Sequence, residues 1–270
     1  MFVLVDSKEV DAEYIRHLAS KSVVICFDDE VARDLPCRAV INYNIWASAS
    51  DYSVRDMREL LIGPKYNTID PAYFNLAGKK REGLLITLGG EDPQDHTSWL
   101  ISTLHKQIAH LPVHICIGPA HPAPDRVIAL CHKALPNAIV YSSPTSLVEP
   151  ISHCALALTA GGTTCYELAA SGVAMAVIAV EKHQLTMRDA LVDNSAALSL
   201  GSYDELNAEN VRKVVRQLLQ PEKAERLAQS AKTLFNTSGT THIIEAIKDL
   251  QRCRQNTLRI NNQERSSYGE

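Results

Sequence analysis

Short apolar runs recur along the chain, and most are followed by a longer stretch whose apolar positions repeat with helical spacing. The runs are rich in Val and Ile and are bounded by turn-forming or charged residues, as strands are. They predict strands at Phe2–Val5, Ser22–Phe27, Ala39–Ile41, Leu84–Leu88, Val113–Ile117, Ala138–Val140, Ala155–Leu158 and Ala174–Ala179, with a short one at Ala196–Leu198. The amphipathic stretches predict helices at Ala12–Ala19, Asp95–His110, Asp125–Lys133, Thr164–Ser171, Gln184–Asn194, Asp204–Leu219, Pro221–Phe235 and Thr240–Cys253. Strands alternating with helices make the class α/β, with mainly parallel sheets and helices on both faces. The strands are apolar at consecutive positions, as strands covered on both faces are.

The pattern breaks at Pro64–Glu82, where PKYNTIDPAYFNLAGKKRE holds two prolines, a glycine and a basic cluster. It reads as a linker between two Rossmann-like units. The expected organisation is a partial N-terminal unit over residues 1–75, a complete unit over 83–253, and a polar, mobile tail over 254–270. The first residues already read as strand, and only about three strands precede the linker. The first unit is therefore expected to lack an N-terminal portion, or to be completed by another chain. Apolar faces left uncovered there predict self-association or binding of a partner chain.

Composition narrows the function classes. A hydrophobic share of 46% in 270 residues excludes wholesale disorder. With 27 basic against 31 acidic residues and no basic block, an electrostatic nucleic-acid binder is not expected. The longest uncharged apolar stretch, Leu168–Val180, is 13 residues, too short for a membrane span. Met1 runs directly into FVLVD with no secretory pattern, and the seven cysteines include no CxxC pair. The expectations are a reducing cytoplasm, no disulfide framework and no metal. His105, His110 and His114 carry no chemistry of their own, and neither HLPVH nor HPAPD offers ligand partners at metal-site spacing.

Two glycine pairs, Gly89–Gly90 and Gly161–Gly162, each follow a strand directly and precede a helix, in LITLGGEDPQD and ALALTAGGTTCYELAASG. Such a pair can simply make a tight turn. It can also let backbone N–H groups approach a phosphate at a helix start, at the carboxyl edge of a parallel sheet. The second pair leads into Thr163 and Thr164, natural helix caps. Glu167 lies one turn further on. It suits a capping box with Thr164 equally with accepting hydrogen bonds from a vicinal diol such as ribose. Lys182, His183 and Gln184 follow the strand at Ala174–Ala179 and lie on the same edge. His183 is either an exposed loop histidine or a general base. Asp28–Asp29 ends another strand, as a turn or as an acid–base pair. Neither a Walker A sequence nor GxGxxG nor GxSxG occurs.

The segments ITLGGEDPQ, AHPAPDRVIALC and VYSSPTSLVEPISHCALALTAGGTTCYELAASGVAMAVIAVEKHQ resemble the C-terminal half of GT-B-type enzymes. With VLVDSKEVDAEY, VVICFDDEVARDLPCRAVINYNI and LLIGPKYNTIDPAYF upstream, the chain most resembles the UDP-2,4-diacetamido-2,4,6-trideoxy-β-L-altropyranose hydrolases of pseudaminic acid biosynthesis and their spore-coat polysaccharide relatives. The resemblance runs from about Val3 to Asp249. It implies a GT-B-like fold and a UDP-sugar as small-molecule partner, with no cofactor. UDP phosphates would lie against Gly161, Gly162, Thr163 and Thr164, and Glu167 would hold the ribose hydroxyls. Gly89 and Gly90 would line the cleft beside the diphosphate or sugar. The uracil would lie near Val140–Ser142, and Gln184 matches the last residue of the family's acidic-Asn-Gln motif.

The chain departs from the family twice. The family's opening glycine-rich loop with its histidine and arginine, the histidine implied to activate water, has no counterpart here; His17 lies in a later helix. The motif's Asn is replaced by His183, which leaves His183 as the one candidate catalytic residue. Three functions are thus expected to compete: a UDP-sugar hydrolase, a GT-B glycosyltransferase, and a non-catalytic nucleotide-sugar-binding protein.

Overall fold

The computed structural model describes residues 1–29, 31, 35–52, 59–78 and 80–252. It contains two compact units, one of Met1–Thr68 together with the chain from Thr237 onward, the other of Ile69–Asn236. The division falls between Thr68 and Ile69, inside the stretch read as a linker. Residues 69–75 therefore group with the second unit, and the chain after Thr237 returns to the first rather than closing the second at Cys253. Residues 253–270, which include the expected tail, lie outside the described residues.

The first unit is a parallel sheet of β1 (Phe2–Val5), β2 (Val23–Phe27), β3 (Ala39–Asn42) and β4 (Glu59–Ile62), in that order. Helix α1 (Ala12–Ala19) starts at Asp11, whose carboxylate accepts the Tyr14 N–H. Alternate side chains of β2 and β3 go to opposite faces. Val24, Cys26 and Val40 pack with Ile15 of α1, while Ile25, Ala39 and Ile41 pack with Ile243 and Leu250 of the last helix, 239–252. That returning helix is the physical reason the central strands carry apolar side chains on both faces. β4 escaped the sequence pattern because ELLI is short and opens on a charge.

The second unit holds six parallel strands in the order β10-β9-β8-β5-β6-β7. They are β5 (Gly83–Thr87), β6 (Val113–Ile117), β7 (Ile139–Ser142), β8 (Cys154–Ala160), β9 (Ala174–Ala179) and β10 (Ala197–Ser202). The helices between them are α3 (His96–Ile108), α4 (Pro124–Ala134), α5 (Val148–His153), α6 (Thr164–Ala170) and α7 (Leu185–Asp193); the short α2 (Pro71–Phe74) precedes the sheet, and α8 (Ala208–Leu218) and α9 (Pro221–Thr233) follow β10. Leu100, Ile101, Leu104 and Ile108 form one stripe of α3, and each is fully buried against Leu84, Ile86 and Ile115 of the sheet. Each such side chain contributes about 1.5–3 kcal/mol by leaving water. α5 was unforeseen because it is only six residues long and carries Pro150, tolerated in a first turn where no N–H partner is needed. α8 begins at Asn207, whose side chain accepts the Glu209 and Asn210 N–H groups, so the expected start at Asp204 is four residues early.

Candidate functional site

The sheet order locates the site. From β5 the chain moves outward to β6 and β7; from β8 it moves the opposite way to β9 and β10. β5 and β8 are neighbours, with Thr87 opposite Thr159. Their carboxyl ends therefore flank a topological switch point, where open parallel sheets form a crevice. Gly89–Gly90 follows β5 and Gly161–Gly162 follows β8, so the two pairs stand on either side of it.

Two cavities open there, of about 220 Å³ and about 360 Å³. Gly89, Gly90 and Thr164 line both. The smaller is closed by Tyr73, Glu167 and the Pro144–Leu147 turn, just beyond the Val140–Ser142 stretch expected near a base. The larger adds Gly162, Thr163, Glu181, His183 and Gln184. Gly161 lines neither. Its N–H donates to Ile178 O, and a Cβ there would lie 2.8 Å from Gln184 O. Its role is close packing. Gly162 is the opposite case: a Cβ would meet nothing within 4 Å.

The N–H groups at this turn differ in availability. Gly162 N–H donates to Ala160 O, while those of Thr163 and Thr164 have no acceptor among the described residues. Both residues line the larger cavity. Neither threonine caps α6: Thr163 occupies the cap position without a side-chain bond. The capping box between Thr164 and Glu167 does not form. Glu167 lies instead beside the phenol of Tyr73, whose oxygen accepts the Leu147 N–H at 3.4 Å. Burial raises the Glu167 carboxyl above its ordinary value; the Tyr73 phenol counters this and the nearby Asp70 charge adds to it. Ser171 Oγ donates to Tyr73 O and pins α2 beside α6. Nothing in the sequence placed Tyr73 at the site, because that contact joins residues nearly a hundred positions apart.

On the other rim, Gln184 Oε1 accepts the Val180 N–H at 3.0 Å, so half of its amide holds the β9 turn rather than a ligand. His183 is exposed, with Nδ1 3.1 Å from Glu181 Oε2. That pairing leaves Nε2 as the acceptor nitrogen.

In the first unit, the Asp28 carboxylate is buried and accepts from Tyr52 Oη at 3.0 Å, while Asn42 Nδ2 donates to the same hydroxyl. Asp28 is thus a structural acceptor. Burial raises the Asp29 carboxyl, against the opposing Lys8 charge.

Six of the seven cysteines are described, and all six are buried and outside any disulfide. No helix of the described residues is long and apolar enough to cross a membrane.

Among solved structures, MurG of Acinetobacter baumannii superposes with a TM-score of 0.66 at 16% identity, covering 91% of this chain and 72% of that one. S. aureus MnaA, solved with UDP, gives 0.65 at 13% identity, covering 93% and 76%. A glycosyltransferase of Rickettsia africae gives 0.60 at 12% identity, covering 92% and 76%. At these identities the likeness is one of fold, and the two parallel-sheet units are a GT-B-like, Rossmann-type architecture. A search of curated protein sequences finds no match. The glycosyltransferase family 28 C-terminal domain, however, matches residues 94–250, more than half of the chain. The strand–glycine–helix unit around Gly161–Gly162 lies within that match, while β5 and Gly89–Gly90 just precede it, and the chain belongs to the glycosyltransferase family 28 C-terminal domain family.

Proposed function

We propose that the chain binds a UDP-sugar in the crevice of its second unit and transfers the sugar from UDP to water. The observation that carries this reading is one crevice at the switch point lined by both glycine turns, by Thr163 and Thr164, whose N–H groups have no acceptor among the described residues, and by Glu167 one turn further along α6. The diphosphate lies against Thr163 and Thr164, with Gly162 allowing close approach. Glu167 accepts from the ribose hydroxyls. The MnaA neighbour, solved with UDP, supports the ligand class, and the sequence resemblance to amino-sugar nucleotide hydrolases supports water as acceptor.

In the reaction, a water oxygen bonds to the anomeric carbon while the bond from that carbon to the phosphate oxygen breaks. UDP leaves, its new charge stabilised by the turn N–H groups. The water proton passes to a base. Nε2 of His183, oriented by Glu181, is the acceptor for it in the cavity lining. A second reading, transfer to a sugar acceptor, rests on the family 28 match.

The test is calorimetric titration with UDP, then NMR of UDP-amino-sugars incubated with the protein. Binding with release of UDP and free sugar in water, abolished by His183→Ala, is the expected result. Release only when an acceptor sugar is added would favour the transferase. A folded protein that binds no UDP would overturn both.

A further inference from the structure

Beneath the Gly89–Gly90 turn lies a group of buried polar side chains with no place in the reaction above. Asp92 and Asp95 hold the start of α3. The Asp92 carboxylate accepts the His96 and Thr97 N–H groups at 2.9 and 2.8 Å, and Asp95 accepts Ser98 N–H at 3.1 Å. Both aspartates sit at positive φ, 40° and 53°, so the turn is held in a conformation that costs free energy without support. His121 comes from the loop after β6. Its side chain is 1% exposed, and Nε2 lies 3.5 Å from Asp92 Oδ2 and 3.5 Å from Asp95 Oδ1, within reach of electrostatic attraction but making no hydrogen bond to either.

A buried carboxylate, a partly buried one and a histidine nitrogen gathered this way are the donor set of a divalent cation. The other ring nitrogen argues otherwise. His121 Nδ1 accepts the Ala123 N–H at 3.1 Å, so it carries no proton. In a neutral imidazole the proton then sits on Nε2, between the two carboxylates. A metal-bound histidine has the reverse arrangement, its second nitrogen donating.

The two loops also touch through the backbone. Ala120 N–H donates to Gly90 O at 2.9 Å, and Gly118 packs so closely on Gly89 O that a side chain there would collide with it. Arg126 of α4 reaches Asp95 Oδ2 at 3.5 Å from the solvent side. We infer that His121 is a positioning residue: its Nε2–H group, attracted by the Asp92 and Asp95 carboxylates it faces, clamps the loop after β6 to the Gly89–Gly90 turn and so fixes the wall of the nucleotide crevice. The clamp stands on the geometry alone; its consequence for ligand binding rests on the UDP-sugar reading.

The test compares His121→Gln, which keeps a donor near the Nε2 position, with His121→Leu, which keeps bulk but no donor. The first readout needs no ligand. Hydrogen exchange of the Ala120 amide should quicken roughly tenfold or more in His121→Leu and stay near wild type in His121→Gln. Imidazole ¹⁵N NMR of the wild type should show the proton on Nε2. The second readout is affinity: UDP binding should weaken roughly tenfold in His121→Leu while uridine, lacking phosphates, changes little, and the glutamine should restore UDP binding. Equal exchange in all three proteins, or equal loss for UDP and uridine, would overturn the clamp. So would stoichiometric metal in the wild-type protein whose removal by chelator loosens the same amide. If the wild type binds no UDP, the proposed function falls, and the exchange and NMR measurements still decide the clamp.

Discussion

Adjacent glycines at one turn should respond to the same methyl group in opposite ways. At Gly161 a Cβ would sit 2.8 Å from Gln184 O and 3.0 Å from Gln184 Cβ. The first of these is backbone, which cannot swing aside, so Gly161→Ala forces β8 and the β9 turn apart. Overpacking of this kind costs about 1–3 kcal/mol. For a unit of this size that lowers the melting temperature by roughly 2–12 °C. At Gly162 the same methyl projects into the larger cavity and meets nothing. Gly162→Ala should leave the fold intact or stabilise it by about 0.4–1 kcal/mol, through a less flexible unfolded chain. Its methyl stands where the diphosphate must approach, so UDP affinity should fall at least about tenfold, or ~1.4 kcal/mol. Scanning calorimetry and UDP titration on the two variants read both quantities. A Gly162→Ala protein that binds UDP like wild type would refute the cradle. A Gly161→Ala protein with an unchanged melting temperature would refute the packing argument.

Other outcomes follow from the same geometry. Tyr73→Phe keeps the ring but removes the hydroxyl beside Glu167 that accepts the Leu147 N–H. It should cost about 1–2 kcal/mol of stability in thermal unfolding and weaken UDP binding. Because burial raises the folded Glu167 carboxyl, the native state holds that proton more tightly than the unfolded chain. Its contribution to stability should therefore decline as pH rises from 4.5 through the raised value, while UDP affinity, which needs the carboxylate, rises over the same window. Subtracting the Glu167→Gln pH profile isolates the effect, and identical profiles would refute it. Burial pushes the thiols of Cys116, Cys154 and Cys165 up to about 12. A disulfide reagent at pH 8 should leave them unmodified until the chain unfolds, as mass spectrometry of trapped peptides would show.

Much of the local structure was legible in the chain. Phe2–Val5, Val113–Ile117, Ala174–Ala179 and Ala12–Ala19 match observed elements residue for residue, because apolar runs and helical spacing act over a few neighbours. The glycine pairs were visible as strand-to-helix turns for the same reason. β4 and α5 were not, being too short for a period to register. The capping role of Thr164 was a fair local alternative, and it lost to a distant phenol.

The sequence by itself therefore determined the α/β class, most strands and helices, and the turns able to approach a phosphate. These rest on side-chain patterning and on glycine's missing Cβ, both local properties. Tertiary structure alone decided that β5 and β8 are neighbours, so that the two glycine turns face one crevice. It also brought Tyr73 to Glu167, set His121 between Asp92 and Asp95, and returned the last helix to the first sheet. Those contacts join residues far apart along the chain, and which of the possible pairings forms is settled by burying both faces of each sheet at once.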